Sequence, residues 1–413
     1  MAAPKLRFKE FDNDWINTKV KDLGEFSSGG TPSKDIHDYW NGNIPWISSS
    51  DLNEESIFDI RINRFISEDA IKNSATKKIP KNSILLVSRV GVGKVALTNQ
   101  ELCTSQDFTA LTPKKDYALF IAYLMKNITP RLLDLNQGTS IKGFVREDLI
   151  SLPISLPSKE EQTKIASFLS AVDEKISQLT QKHELLNQYK QGMMQKLFSQ
   201  EIRFKADDGR EFGEWEEKTL IDSVDTNIKW SFTGGPFGSN LKSEDYTELG
   251  IRIIQLQNIG DGAFLNDYKI YTSPEKANEL LSCNIYPDEI LISKMGDPVA
   301  RCCIVPKHHD RYVMCSDGIR LVVDKQNYSS IFMFYQINYQ DFRQSASDVS
   351  TGSTRKRIGL SDLKQLPIKV PCLEEQTKIA NFLSAIDQKI EVVAQQIEQA
   401  KTWKKGLLQQ MFV

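Results

Sequence analysis

Glu160–Ala166 reads EEQTKIA, and the same seven residues return unchanged at Glu374–Ala380, a shift of 214 residues. The register runs without a gap to Phe198 and Phe412. Upstream it carries Gly138-Thr139 onto Gly352-Ser353, Lys142 onto Lys356, Asp148-Leu149 onto Asp362-Leu363 and Leu152-Pro153-Ile154 onto Leu366-Pro367-Ile368. At the front of each copy Arg7-Phe8 resembles Arg203-Phe204, and Trp15, Val20 and Asp22 match Trp215, Leu220 and Asp222 at a shift of 200. The chain is a tandem duplication. Two copies of one unit on one polypeptide suit a partner touched at two places.

Each EEQTKIA opens a heptad-patterned stretch. Ile165, Leu169, Val172, Ile176, Leu179, His183, Leu186, Lys190, Met193 and Leu197 alternate spacings of four and three. The second series is Ile379, Leu383, Ile386, Ile390, Val393, Ile397, Ala400, Lys404, Leu407 and Met411, with Lys404 at the place of Lys190. This is a coiled-coil seam, and the two stretches are expected to pair with each other. Ser158-x-x-Glu161 is a capping box for the first helix, whereas Cys372 stands where the second would need its serine. A helix of about 40 residues is about 60 Å long at ~1.5 Å per residue, close to two turns of B-DNA at ~34 Å each. Ahead of the helices lie short β-branched runs, Ile84–Val87, Ile251–Ile254, Ile290–Ile292 and Ile319–Val323, separated by Gly, Asn, Asp and Pro. The fold expected is mixed α/β: two tandem globular domains, a long antiparallel helix pair and an internal pseudo-twofold repeat.

The chain has 413 residues, 40% of them hydrophobic, enough for two domains with sizeable cores. A formal net charge of −2 excludes a uniformly basic DNA-coating protein but leaves room for local basic loops. No run of about eighteen apolar residues and no signal-peptide core is present, so a cytoplasmic location is expected. The six cysteines have no spacing common to both halves, which favours reduced thiols over a disulfide framework.

Several motifs invite chemistry and are better read as structure. Gly91-Val92-Gly93-Lys94 has Ser88 where a phosphate loop needs its first glycine, and Val95 follows the lysine; a hairpin turn fits. Cys283, Cys302, Cys303, His308, His309 and Cys315 contain no CxxC pair and have no counterpart in the first copy, so no metal site is expected. Phe332, Phe334, Tyr335 and Tyr339 have the spacing of domain core. Neither a cofactor-binding glycine motif nor a base-gripping Asn/Asp-Pro-Pro-aromatic element occurs, which points away from catalysis by this chain.

More informative are loops that mix glycine with small, amide and basic residues: Gly29–Lys34, Ser88–Lys94, Gly138–Lys142, Gly234–Lys242, Gln255–Asn258 and Gly352–Arg357. Glycine permits close backbone approach, Ser, Thr, Lys and Arg bind phosphate oxygens, and Gln, Asn or Arg can pair with base edges. Lys34, Lys94, Lys142, Lys242, Arg355 and Lys356 are the phosphate candidates, with Thr139 and Ser353 in the same loops. Arg89, Gln255, Gln257, Asn258, Arg301 and Arg320 are the base-edge candidates. Tyr189, Phe198 and Trp403 on the helices are candidates for docking a partner protein.

The RF…W openings, the GGTP and GPFGS loops, the LPI strands and the EEQTKIA…FLSA helices together resemble the specificity subunit of type I restriction-modification systems, over essentially the whole chain. The resemblance implies a non-catalytic subunit with two target recognition domains, each reading one half of an interrupted site in double-stranded DNA. It places these domains at 1–157 and 201–371 and the spacer helices at 158–200 and 372–413. It further implies two modification subunits that bind S-adenosylmethionine and methylate adenine, and two restriction subunits that use ATP and Mg; this chain would bind no cofactor itself. Two other classes remain open, a coiled-coil adaptor that grips proteins and a methyltransferase acting alone. Competition by duplex DNA separates the first from a DNA reader, and equilibrium dialysis with S-adenosylmethionine tests the second.

Overall fold

The computed structural model describes residues 4–134, 143–236, 238–352 and 355–413. By contacts the chain divides into two units: residues up to Lys182 together with Val393–Val413, and His183–Val392. The heptad stretches form two helices, Lys159–Phe198 and Leu373–Met411. Each unit thus takes one part of each long helix. The first combines the start of one with the end of the other, and so does the second, as antiparallel pairing requires.

The units are built alike. In unit 1 strand Ile16–Lys19 pairs antiparallel with Pro153–Leu156, joining the front of the domain to the strand that leads into the first long helix. Glu216–Thr219 pairs with Pro367–Val370 in the same way in unit 2. A four-stranded antiparallel sheet follows in each: Gly24–Ser28, Phe108–Pro113, Ile84–Val87, Val95–Leu97 in unit 1, and Phe232–Gly234, Gly318–Leu321, Ile290–Ser293, Cys302–Ile304 in unit 2. The continuous β-branched runs predicted as strands are the inner ones, buried on both faces. A third, mixed sheet has a parallel pair at its centre, Ile44–Ile47 with Cys103–Thr104 and Ile251–Ile254 with Tyr312–Met314. It has three strands in unit 1 and five in unit 2.

The heptad seams explain why each globular part closes on the long helices. Ile165, Leu169 and Val172 share one apolar cluster with Trp15, Phe120, Leu407 and Met411; Leu197 and Phe198 share another with Trp215, Phe332, Ile379 and Leu383. Each fully buried side chain of this kind contributes about 1.5–3 kcal/mol. The polar interruptions are paired. Lys404 meets Asp173 at 2.5 Å in unit 1, and Lys190 meets Asp387 at 2.6 Å in unit 2. The same aspartates accept from Tyr123 and Tyr335, each at 2.6 Å. Burial and the neighbouring carboxylate push both tyrosine hydroxyls well above their ordinary range, so they remain donors.

The repeated Glu-Gln has a specific task. Glu161 is buried and receives Arg7 through Nε and a terminal nitrogen, both at 2.8 Å, while Glu375 receives Arg203 at 3.1 and 2.7 Å. Gln162 accepts from the Tyr117 amide and donates to the Pro157 carbonyl; Gln376 accepts from Ser329 and donates to Pro371. Phe8 packs edge-on against Phe168, and Phe204 against Phe382. The RF openings are therefore staples that fasten each entering chain to a helix start. Ser158 caps its helix through the Glu161 amide at 3.3 Å. Among the described residues no helix is long and apolar enough to cross a membrane.

Candidate nucleic-acid interface

In each unit four loops converge beyond the ends of the parallel strands. The strand Ile44–Ile47 runs into a single tight turn, Ser48–Asp51, and Ile251–Ile254 into its counterpart, Gln255–Asn258. Both turns close on themselves. The Asp51 carboxylate accepts from the Ser48 amide at 2.7 Å and the Asn258 carboxamide oxygen accepts from the Gln255 amide at 2.9 Å, while the amides of Asp51 and Asn258 donate back to the carbonyls of Ser48 and Gln255. The local sequence differs, SSSD against QLQN, but a side-chain acceptor in fourth position produces the same turn.

Beside each turn lies a hairpin tip. GVGK is such a tip, connecting the antiparallel strands Ile84–Val87 and Val95–Leu97. The chain after the domain's helices then binds the hairpin: the Phe144 amide donates to the Ser88 carbonyl at 3.1 Å, and the Ile358 amide to that of Lys294 at 3.0 Å. The fourth loop precedes a strand of the four-stranded sheet; the Ser88 and Lys294 amides donate to the Asp107 and Asp317 carbonyls at 2.8 and 2.7 Å. Its carboxylates are occupied locally, Asp107 by Ser105 at 3.0 Å and Asp317 by Arg357 at 3.0 Å.

The predicted contact residues fall into three groups. Lys34, Arg89, Lys242, Gln257 and Arg355 are exposed. Arg89 and Arg355 belong to the converging loops and find no side-chain partner among the described residues. Lys34 follows Thr31, whose hydroxyl meets Gln106 at 2.5 Å in the fourth loop; Lys242 precedes Tyr246, whose hydroxyl accepts from Gln255 at 3.3 Å. Gln255 and Lys356 are half-buried, the latter's ammonium on Ser347 and its carbonyl on the Gly296 amide at 3.0 Å. Thr139, Lys142 and Ser353 lie outside the described residues.

Several expectations are corrected. Asn258 is fully buried and spends its amide on the carbonyls of Leu265 and Tyr268, so it builds its turn and offers no base edge contact. Arg320 is buried in mid-strand, bidentate to Glu289 at 2.8 and 2.6 Å and stacked over Tyr286. Lys94 and Arg301 also point inward. Lys94 donates to the carbonyls of Ser49 and Leu52 at 3.1 and 2.9 Å; Arg301 donates to those of Ile259 and Leu256 at 2.6 and 3.4 Å. Of the docking candidates, Phe198 is buried, stacked on Tyr339 at 5.0 Å, and is core. Tyr189 and Trp403, at matching places in the repeat, are half exposed.

The predicted aromatic group Phe332, Phe334, Tyr335 and Tyr339 is buried, as core spacing required. Cys302 and Cys303, adjacent on one strand, enter two different apolar clusters, and burial pushes the Cys302 thiol up to about 12. Sequence reasoning missed Ser50 and Arg64. Ser50 is exposed on the unit 1 turn, and Arg64 lies over the Trp46 ring at 4.7 Å with a nitrogen 2.8 Å from the Ser48 hydroxyl.

The family model for the type I restriction modification DNA specificity domain matches residues 12–188 and 257–402. The chain belongs to the family of type I restriction-modification specificity subunits. It is 33% identical to the MjaIX specificity subunit of Methanocaldococcus jannaschii over 62% of this chain and 59% of that one. With the MjaVIII specificity subunit of the same organism identity is 25% over 96% and 91%. The EcoR124I/EcoR124II specificity subunit of Escherichia coli matches at 31% over 43% and 45%. The fold is that of the type I S subunit from M. genitalium, at TM-score 0.59 and 19% identity over 100% of this chain and 99% of that one.

Proposed function

We propose that this specificity subunit reads one half of a gapped, bipartite DNA sequence with each unit. The observation that carries the reading is the duplicated four-loop cluster, in which Arg89 and Arg355 find no side-chain partner among the described residues while Asp107 and Asp317 are engaged within the fold. Unpaired arginine beside close-packed backbone is suited to phosphate oxygens and base edges.

In this reading the paired long helices set the gap between the half-sites, and the exposed aromatics Tyr189 and Trp403 dock two modification subunits. The chain is non-catalytic: the modification subunits bring S-adenosylmethionine and methylate adenine, and two restriction subunits bring ATP-driven translocation and cleavage with Mg. The complex works in the cytoplasm.

The test is duplex binding by the full chain with its modification subunits as salt is raised. Each phosphate contact removed lowers the slope of log affinity against log salt by about 1. Arg89→Ala and Arg355→Ala are expected to do so on every sequence; unchanged slopes in both would reject the phosphate role.

A further inference from the structure

The two turns at the ends of the parallel strands can be superposed residue by residue from their hydrogen bonds. Ser48 corresponds to Gln255, Ser49 to Leu256, Ser50 to Gln257 and Asp51 to Asn258. In both, the fourth residue is consumed by the turn. In both, the third is exposed: Ser50 bonds only the Ser48 hydroxyl, at 2.9 Å, and Gln257 has no hydrogen-bond partner among the described residues.

Each turn is also gripped from the hairpin by a cation. Lys94 takes the carbonyls of the second turn residue and of the residue after the turn, Ser49 and Leu52. Arg301 takes the corresponding pair, Leu256 and Ile259. The hairpin of unit 2 makes room for its arginine with Gly296, whereas in unit 1 Gly91 answers to its positive φ and an added Cβ would only touch the lysine. A Cβ on Gly296 (φ 138°) would stand 2.2 Å from the Arg301 guanidinium, and one on Gly91 (φ 82°) would lie 3.8 Å from the Lys94 stem. Lys94 and Arg301 are half-buried, and a charged group donating to two backbone carbonyls fixes a turn more firmly than neutral bonds do.

We propose that Ser50 and Gln257 are the equivalent base-reading positions of the two units, and that Lys94 and Arg301 are positioning residues that hold the turns carrying them. This rests on the DNA-reading function proposed above. A carboxamide presents a donor and an acceptor together and discriminates bases about tenfold or more, while a lone hydroxyl pairs with several. The half-site read by unit 2 is therefore stricter at this position than the half-site read by unit 1.

The experiment uses the full chain assembled with its modification subunits, a randomised duplex library, and single-molecule sequencing of the methylated products. Gln257→Ala is expected to relax one base position, by about tenfold in preference, in one half-site only, with the salt slope unchanged. Ser50→Gln is expected to sharpen or switch one position in the other half. Arg301→Met should degrade the same position as Gln257→Ala, and Arg301→Lys should restore it, since lysine does this work in unit 1. A motif unchanged in Gln257→Ala, or altered in both halves, overturns the proposal. If the unsubstituted complex selects no motif at all, it is the DNA-reading function itself that fails.

Discussion

The two units share their attachments to the long helices and differ in the turns and in the mixed sheet. Both carry the Arg–Glu staple, the glutamine anchor, the Tyr–Asp–Lys group and the gripped turn. Yet the turn is SSSD under a lysine in one and QLQN under an arginine in the other, and the mixed sheet has three strands in one and five in the other. Residues that join each domain to the long helices are repeated in kind. Residues that face outward from the turns are not. The attachments to the long helices form a frame common to both units, and the outward residues of the turns differ.

The frame is where substitution costs most. Glu375→Ala removes two charge-assisted hydrogen bonds from Arg203, at about 1.5–3 kcal/mol each, and is expected to destabilise unit 2 by about 3–5 kcal/mol, read from denaturant unfolding. Glu161→Ala should cost more. Glu161 also accepts from the Trp15 indole at 3.4 Å, a bond absent in unit 2, where the Trp215 indole nitrogen is buried without a partner. Equal losses would mean that the Trp15 indole bond adds nothing to the stability of unit 1.

The Tyr–Asp–Lys groups differ in their exposure to water. In unit 1 the Lys404–Asp173 pair is 11% and 12% exposed, against 22% and 37% for Lys190–Asp387. Asp173→Ala is expected to cost about 3 kcal/mol, since it strands a buried ammonium. Asp387→Ala should cost closer to 1 kcal/mol, because water reaches Lys190. Thermal unfolding of the two variants side by side checks the order.

The smallest effect concerns thiols. Burial raises the thiols of Cys103 and Cys315 to about 11 and that of Cys302 to about 12, whereas Cys372 is exposed. Iodoacetamide at neutral pH should label Cys372 alone under native conditions, as peptide mass mapping would report. Labelling of Cys103 before Cys372 would mean that unit 1 opens readily.

The duplication, the long helices and the main strands were legible in the sequence because they are written in local pattern: a repeated heptapeptide, four-three spacing, β-branched runs. The staples were visible as RF and EEQ without their purpose, since nothing local tells that Arg7 reaches Glu161. The interface was harder. Lys94 and Arg301 read as surface cations because loop position and neighbouring glycines were the available clues, yet backbone carbonyls of the adjoining turns draw both inward, and Gly296 leaves the space for Arg301. Arg320 and Asn258 were misjudged for the same reason: a buried partner, Glu289, or a backbone carbonyl from another loop decides the direction of a polar side chain. Phe198 looked available for docking because it closes a heptad stretch, but unit 2 folds aromatic rings over that helix end.

If each unit reads its own half of the target, exchanging one domain exchanges one half-site. Replacing residues 1–157 by the corresponding domain of another specificity subunit, then sequencing the methylated motif of the reassembled complex, tests it most directly. A new sequence is expected in one half-site, with the other half retained. A change in both halves, or in neither, would contradict it.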